Sequence, residues 1–149
     1  MNGFKKLAKA TNSPIYFLDE EITLNQDHLK QIKDHLISHT DLDKVRLLLN
    51  PNFHDAQQES IFFANKNALF TQKRFPFLPW MECELLEGSL SLIQYFAQGE
   101  ELSFLSSQSP KVRFDPAVYH SFKITSEVAI FKVKSIGPYL EKLVEKKVG

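Results

Sequence analysis

The chain has 149 residues, 43% of them hydrophobic and 24% charged, and its 18 Lys and Arg balance its 18 Asp and Glu. That is the length of one domain, enough to bury about two-thirds of the surface its unfolded form exposes, and the balanced charge leaves no global field to hold nucleic acid or an anionic membrane. Cys83 is the sole cysteine, and neither a secretory h-region nor an apolar run of about 18 residues is present, so a reducing, cytoplasmic setting with no membrane association is expected.

In chain order, a short apolar run at Ile15 to Leu18 follows Pro14. Thr23 with Gln26 then forms a capping-box pattern, which predicts a helix from Leu24 to Ser38 carrying Leu29, Ile32 and Leu36 on one stripe. From Val45 the period shortens. Runs at 45–49, 60–64, 68–70, 84–86, 89–96, 102–105, 112–114, 119–124 and 128–133 are divided by Asn, Pro and Gly, and predict eight or nine strands. Glu87-Gly88, Gln98-Gly99 and Thr125-Ser126 read as hairpin turns. Gly137-Pro138, with Leu140, Leu143 and Val144 beyond, reads as a short closing helix ending in lysines.

The fold class expected is therefore mainly β, a double-sheet jelly-roll barrel with an N-terminal helix and a short C-terminal helix. Residues 1–44 pack on the barrel, 45–136 build it and 137–149 close it, all within one structural domain. Thirteen Phe against one Trp suit a core of bulky rings between facing sheets.

Several short motifs fall in a telling order. Leu85-Leu86-Glu87-Gly88-Ser89-Leu90, Gly99, the segment Asp115 to His120, Gly137-Pro138-Tyr139, and Arg46 ahead of an Asn-Pro turn together resemble the WbuC-like branch of the cupins, over most of the chain from Ile15 to Tyr139. The resemblance implies a cupin barrel associated with bacterial O-antigen or other surface-polysaccharide biosynthesis. It also implies a first signature with two histidines, a glutamate and a glycine. Counting back from Gly88 puts the glutamate position at Met81 and the histidines on Phe75 and Phe77, or on Arg74 and Pro76. His120 keeps the second signature's histidine, with Ala117 where glycine is usual. No bound metal and no other cofactor is expected, a divalent metal being the minority alternative, because none of these replacements offers an imidazole or carboxylate.

The expected function is binding of a small sugar-derived ligand, with His120, Arg74, Gln72, Met81 and Cys83 as the candidate ligand contacts. Arg74 can pair bidentately with phosphate or carboxylate. His120 is the candidate catalytic residue if the protein is instead a sugar isomerase or epimerase. A third reading is a non-catalytic partner protein whose barrel is filled with Phe. Met81, Cys83 and His120 compose a soft donor set, although Met and Cys on an inward strand face usually just pack. His35 and His39 lie four apart on the helix without further ligands, His54 with Asp55 and Asn50 belong to a loop, and Ser106 to Ser109 is a polar turn. A homodimer is expected through β-strands or the N-terminal segment, since Ile15 to Leu18 lacks an evident partner of its own.

Overall fold

The computed structural model describes residues 3–6, 14–18, 23–49, 57–136 and 144–146. Its elements are β1 (Phe4–Lys6), β2 (Ile15–Leu18), α1 (Gln26–Ser38), β3 (Lys44–Leu48), β4 (Gln57–Asn65), β5 (Gln72–Arg74) and β6 (Met81–Glu87). They continue with β7 (Leu90–Phe96), β8 (Gly99–Leu105), β9 (Lys111–Phe114), β10 (Tyr119–Ile124), β11 (Val128–Ile136) and β12 (Val144–Lys146). Two curled sheets result, a seven-stranded one ordered β1-β2-β3-β4-β11-β6-β9 and a five-stranded one ordered β12-β5-β10-β7-β8.

Alternation along the strands explains two separate cores. On β3, Val45 and Leu47 turn outward and, with Ile61, Phe63 and Ile130, meet the stripe of Ile32 and Leu36 on α1. The inner faces of both sheets supply the second core, from Met81, Cys83 and Leu85 on one side to Leu90, Leu92 and Ile124 on the other. Helix α1 thus covers the outside of the larger sheet and leaves the barrel interior to the two sheets. No helix among the described residues is long and apolar enough to cross a membrane.

The helix begins later than the sequence pattern suggests. Asn25 is the N-cap, its side-chain oxygen accepting from the His28 amide at 3.1 Å while His28 Nδ1 accepts the Asn25 amide proton at 3.0 Å. The capping box is real but uses Asn25 and His28 in place of Thr23 and Gln26, because Asn caps as well as Thr and an acceptor imidazole can take the part of Gln.

Nine strands, β3 to β11, occupy 44–136. The run at 68–70 is not one of them: it follows a turn in which the Ala68 amide donates to the Asn65 carbonyl, and the strand there is β5, starting at Gln72. Of the three expected turns, the one at Ala97-Gln98 joins two strands that pair with each other, β7 and β8. Gly88 and the Thr125-Ser126 turn instead carry the chain from one sheet to the other. Gly88 has φ of 84°, and an added Cβ would stand 2.3 Å from the Val128 carbonyl oxygen, so this crossing requires glycine.

Two terminal expectations are corrected. Strand β2 pairs antiparallel with β1 and parallel with β3, so Ile15 to Leu18 does have partners within its own chain. Where a closing helix was expected, 144–146 form β12, antiparallel to β5, while the rest of 137–149 lies outside the described residues. So short an apolar pattern cannot hold a helix by itself, and the open edge of β5 offers a hydrogen-bond ladder.

Candidate functional site

Strand β5 settles which of three consecutive polar side chains enters the barrel. Thr71, Lys73 and Phe75 line the interior cavity, and alternation turns Gln72 and Arg74 to the opposite face. Lys73 is the register partner of His120 on β10. The cavity measures about 60 Å³ and is also lined by Arg46, Phe62, Phe70, Met81, His120, Ser121, Phe122 and Val133, with no acidic side chain among the described residues that line it.

It is small because rings fill the barrel around it. Phe62 stacks on Phe131 at 5.2 Å, Phe122 lies 5.1 Å from Phe131, and Phe70 meets Phe122 edge-on at 5.6 Å. Rings therefore fill much of the interior and leave this small, mainly apolar cavity.

His120 is 3% exposed. Its ring packs 4.8 Å from Phe114, 5.8 Å from Phe75 and 6.0 Å from Phe122, centroid to centroid. Desolvation pushes its pKa down to about 4, with the charge of Lys73 acting in the same direction and the Val118 carbonyl opposing both. The imidazole is therefore neutral at pH 7. Nδ1 lies 3.3 Å from the Val118 carbonyl oxygen, which can only accept, so Nδ1 carries the proton and Nε2 is the acceptor.

Arg46, on the inner face of β3, donates from Nε and Nη2 to Ser60 Oγ, both at 3.1 Å, and its guanidinium lies 5.0 Å from the Phe62 ring centroid. Arg46 and Lys73 are the cations of the cavity. Sequence reasoning gave this part to Arg74, which is not among the residues lining the cavity. Arg74 stacks on Tyr119 at 4.9 Å outside the cavity, and Arg74 Nε and Gln72 Oε1 are buried there without hydrogen-bond partners. The missed signal was parity: Lys73 is flanked by Thr71 and Phe75, and a buried Phe75 brings Lys73 to the same face.

Met81 lines the cavity, whereas Cys83 is fully buried in the core and does not. Burial, reinforced by Glu84 and Glu82, pushes the Cys83 thiol far above its ordinary value. The soft set of Met81, Cys83 and His120 is thus not assembled in the cavity, and a protonated thiol is no ligand.

Among the described residues, the side chains at the positions counted for the metal signature do not suit a hard divalent ion. Met81 stands where a carboxylate would, Phe75 is buried against His120, and Phe77 is 39% exposed. An imidazole with a thioether is a poor set for a hard divalent ion. Among the described residues no group of three or more His, Cys, Asp and Glu could hold a metal.

Other candidates have local explanations. His39 Nδ1 lies 2.7 Å from the His35 carbonyl oxygen, and the two rings lie 4.0 Å apart on an exposed helix end. Lys132 pairs with Glu84 at 3.7 Å and Lys134 with Glu59 at 3.8 Å, part of an outer ladder that includes Arg113 and Glu82. Ser106 and Ser109 bridge each other in a turn. Asn50, His54 and Asp55 lie outside the described residues.

No known protein family matches the chain, and no curated protein does. Solved structures do. A Cupin_2 domain of an XRE-family transcriptional regulator from Enterobacter cloacae superposes with a TM-score of 0.51 at 17% identity, covering 64% of this chain and 98% of that one. An HTH_3-family transcriptional regulator from Vibrio cholerae gives 0.52 at 19% identity, over 75% of this chain and 61% of that one. A mutant oxalate decarboxylase from Bacillus subtilis gives 0.51 at 10% identity, over 61% of this chain and only 24% of that one. At such identities the likeness shows the fold, a cupin jelly roll.

Proposed function

We propose that this protein is a ligand-binding cupin that takes a small sugar-derived anion into its barrel without a resident metal. The WbuC-like resemblance supports a place in bacterial surface-polysaccharide biosynthesis. The observation that carries the binding reading is the cavity lining: two cations, Arg46 and Lys73, and a desolvated imidazole, His120, share one aromatic cavity, and none of the described residues that line it is acidic. A fixed positive charge in a low-dielectric recess favours an anion far more than the same charge does in water.

The volume limits what enters. About 60 Å³ holds on the order of four to six water-sized groups at ~10–15 Å³ each. A carboxylate with a short carbon chain fits inside, whereas a whole hexose would have to remain partly in the mouth. The ligand end that is read is thus the anionic end.

Catalysis by His120 acting as a base would be favoured by a carboxylate or Tyr hydroxyl bonded to the imidazole. The hydrogen bond found is to a backbone carbonyl, and the adjoining rings are phenylalanines. Binding is the reading these contacts support.

Calorimetric titration at neutral pH tests it, with short sugar acids and sugar phosphates set against uncharged sugars of equal size. The anions are expected to bind and the neutral compounds to give no heat. Equal binding of a neutral sugar, or no binding by any anion at millimolar concentration, overturns the proposal.

A further inference from the structure

Helix α1, the one helix among the described residues, packs on β3 and β4 of the larger sheet, so the outer face of the smaller sheet has no described helix over it. Alternation fixes what that face presents. Leu90, Leu92, Leu105 and Ile124 point into the core, which turns Tyr95 on β7, Tyr119 on β10 and Glu100, Leu102 and Phe104 on β8 outward, beside Arg74 on β5. Leu102 is 60% exposed and Phe104 58%, and both stand on an edge strand. Large apolar side chains on an open edge are what sheets avoid unless a partner covers them. Register also aligns four of these residues in one row: Arg74 opposite Tyr119, Tyr119 opposite Tyr95, and Tyr95 opposite Glu100. The row has a guanidinium, stacked on the Tyr119 ring, at one end and a carboxylate at the other. Its ends lie three strand spacings apart, about 14 Å, too far to pair within one chain. Neither Arg74 nor Glu100 has an ion-pair partner among the described residues.

We propose that this face docks a second copy of the chain, in a homodimer whose two-fold axis runs parallel to the strands between β10 and β7. That operation lays Arg74 over the partner's Glu100 and Glu100 over the partner's Arg74, with Tyr119 over the partner's Tyr95 between them. One row of side chains thus closes two ion pairs, because a cation and an anion placed symmetrically about the axis are complementary to their own copy. An axis running across the strands would instead set Arg74 on Arg74. The strands of the two protomers then run along each other, the aligned class of sheet packing. Tyrosine and arginine at the centre suit a protein interface, and β8 of each protomer, with Leu102 and Phe104, comes to lie against β5 of the other.

Light scattering and sedimentation of the full chain at micromolar concentration test this, and are expected to give twice the mass of one chain. Glu100→Arg sets like charges against each other at both ends of the row, as does Arg74→Glu, and each should raise the dissociation constant by roughly a hundredfold or more. Mixing the two variants in equal amounts should restore the dimer, since each then meets the opposite charge at both contacts. Leu102→Lys, at an exposed position, should also dissociate the dimer and serves if Arg74→Glu does not fold by circular dichroism. A parent protein with the mass of a single chain overturns the proposal and leaves the face to a different protein. A dimer that survives both Glu100→Arg and Leu102→Lys places the contact on another surface. A mixture that stays monomeric, with both variants folded, overturns the pairing of Arg74 with Glu100.

Discussion

His120 on β10 and Lys73 on β5 are direct partners across an antiparallel pair, so an imidazole and an ammonium group share the inner face of the smaller sheet. Gln72 and Arg74 flank Lys73 on the other face. One residue of register thus decides which cation meets a ligand in the barrel and which stacks outside on Tyr119.

The neutral state of His120 makes folding sensitive to acid. Its pKa falls from 6.5 to about 4 on folding, so between those values the unfolded chain binds a proton that the folded chain refuses. The stabilisation is present above pH 6.5 and is lost as pH falls toward 4, amounting to on the order of 3 kcal/mol at full extent. Thermal unfolding from pH 7 to pH 4 should show His120→Leu losing less stability than the parent. Parallel curves would mean that the imidazole is protonated in the fold.

Cys83 should be inert in the native protein. It is fully buried with its thiol held protonated, and the thiolate is the reacting species. A thiol-specific chromogenic reagent is expected to modify it only under unfolding conditions; rapid reaction at pH 8 with circular dichroism unchanged would contradict the buried placement.

The two glycines with positive φ in the barrel should respond differently to alanine. At Gly88 the new Cβ meets the Val128 carbonyl oxygen at 2.3 Å and Ser126 Oγ at 2.5 Å, whereas at Gly99 nothing stands within 4 Å. Backbone strain of about 1–3 kcal/mol applies to both, and the clash adds to it only at Gly88. Denaturant titration should therefore place Gly88→Ala below Gly99→Ala in stability, and equal losses would show that the sheet crossing has room.

Metal exchange tests the donor argument. After equilibration with iron, manganese, nickel or zinc and removal of excess, elemental analysis should find less than one equivalent retained, because Met81 and Phe75 occupy positions a carboxylate and an imidazole would need. One equivalent held by the parent and lost in His120→Ala would show that His120 and further ligands form a metal site and would contradict the donor argument.

Much of the architecture was legible because period and punctuation carry it. The stripe of Ile32 and Leu36 predicts a docked helix, and short apolar runs between Asn, Pro and Gly predict strands. Sheet membership was not legible, since a turn such as Glu87-Gly88 looks the same whether it closes a hairpin or crosses between sheets. At 144–146 a strand stands where a helix was expected, because Leu140, Leu143 and Val144 suit a helical stripe in sequence while β5 offers an edge that only the folded sheet reveals. Motif spacing pointed to His120 and Met81, and both line the cavity. That Arg46 and Lys73 line the cavity was not legible, because their place depends on strand parity in β3 and β5, and a strand as short as β5 gives alternation little to work with.

Affinity measured on two neighbouring variants tests the central claim most directly. Calorimetric titration of the best-binding anion should show Lys73→Met weakened by roughly tenfold to a hundredfold, as loss of a charge-assisted contact of about 1.5–3 kcal/mol requires, with Arg74→Met within about twofold of the parent, the scatter of a residue making no ligand contact. The opposite pattern, with Arg74→Met impaired and Lys73→Met unaffected, would place the anion on the outer face of the sheet and contradict the account.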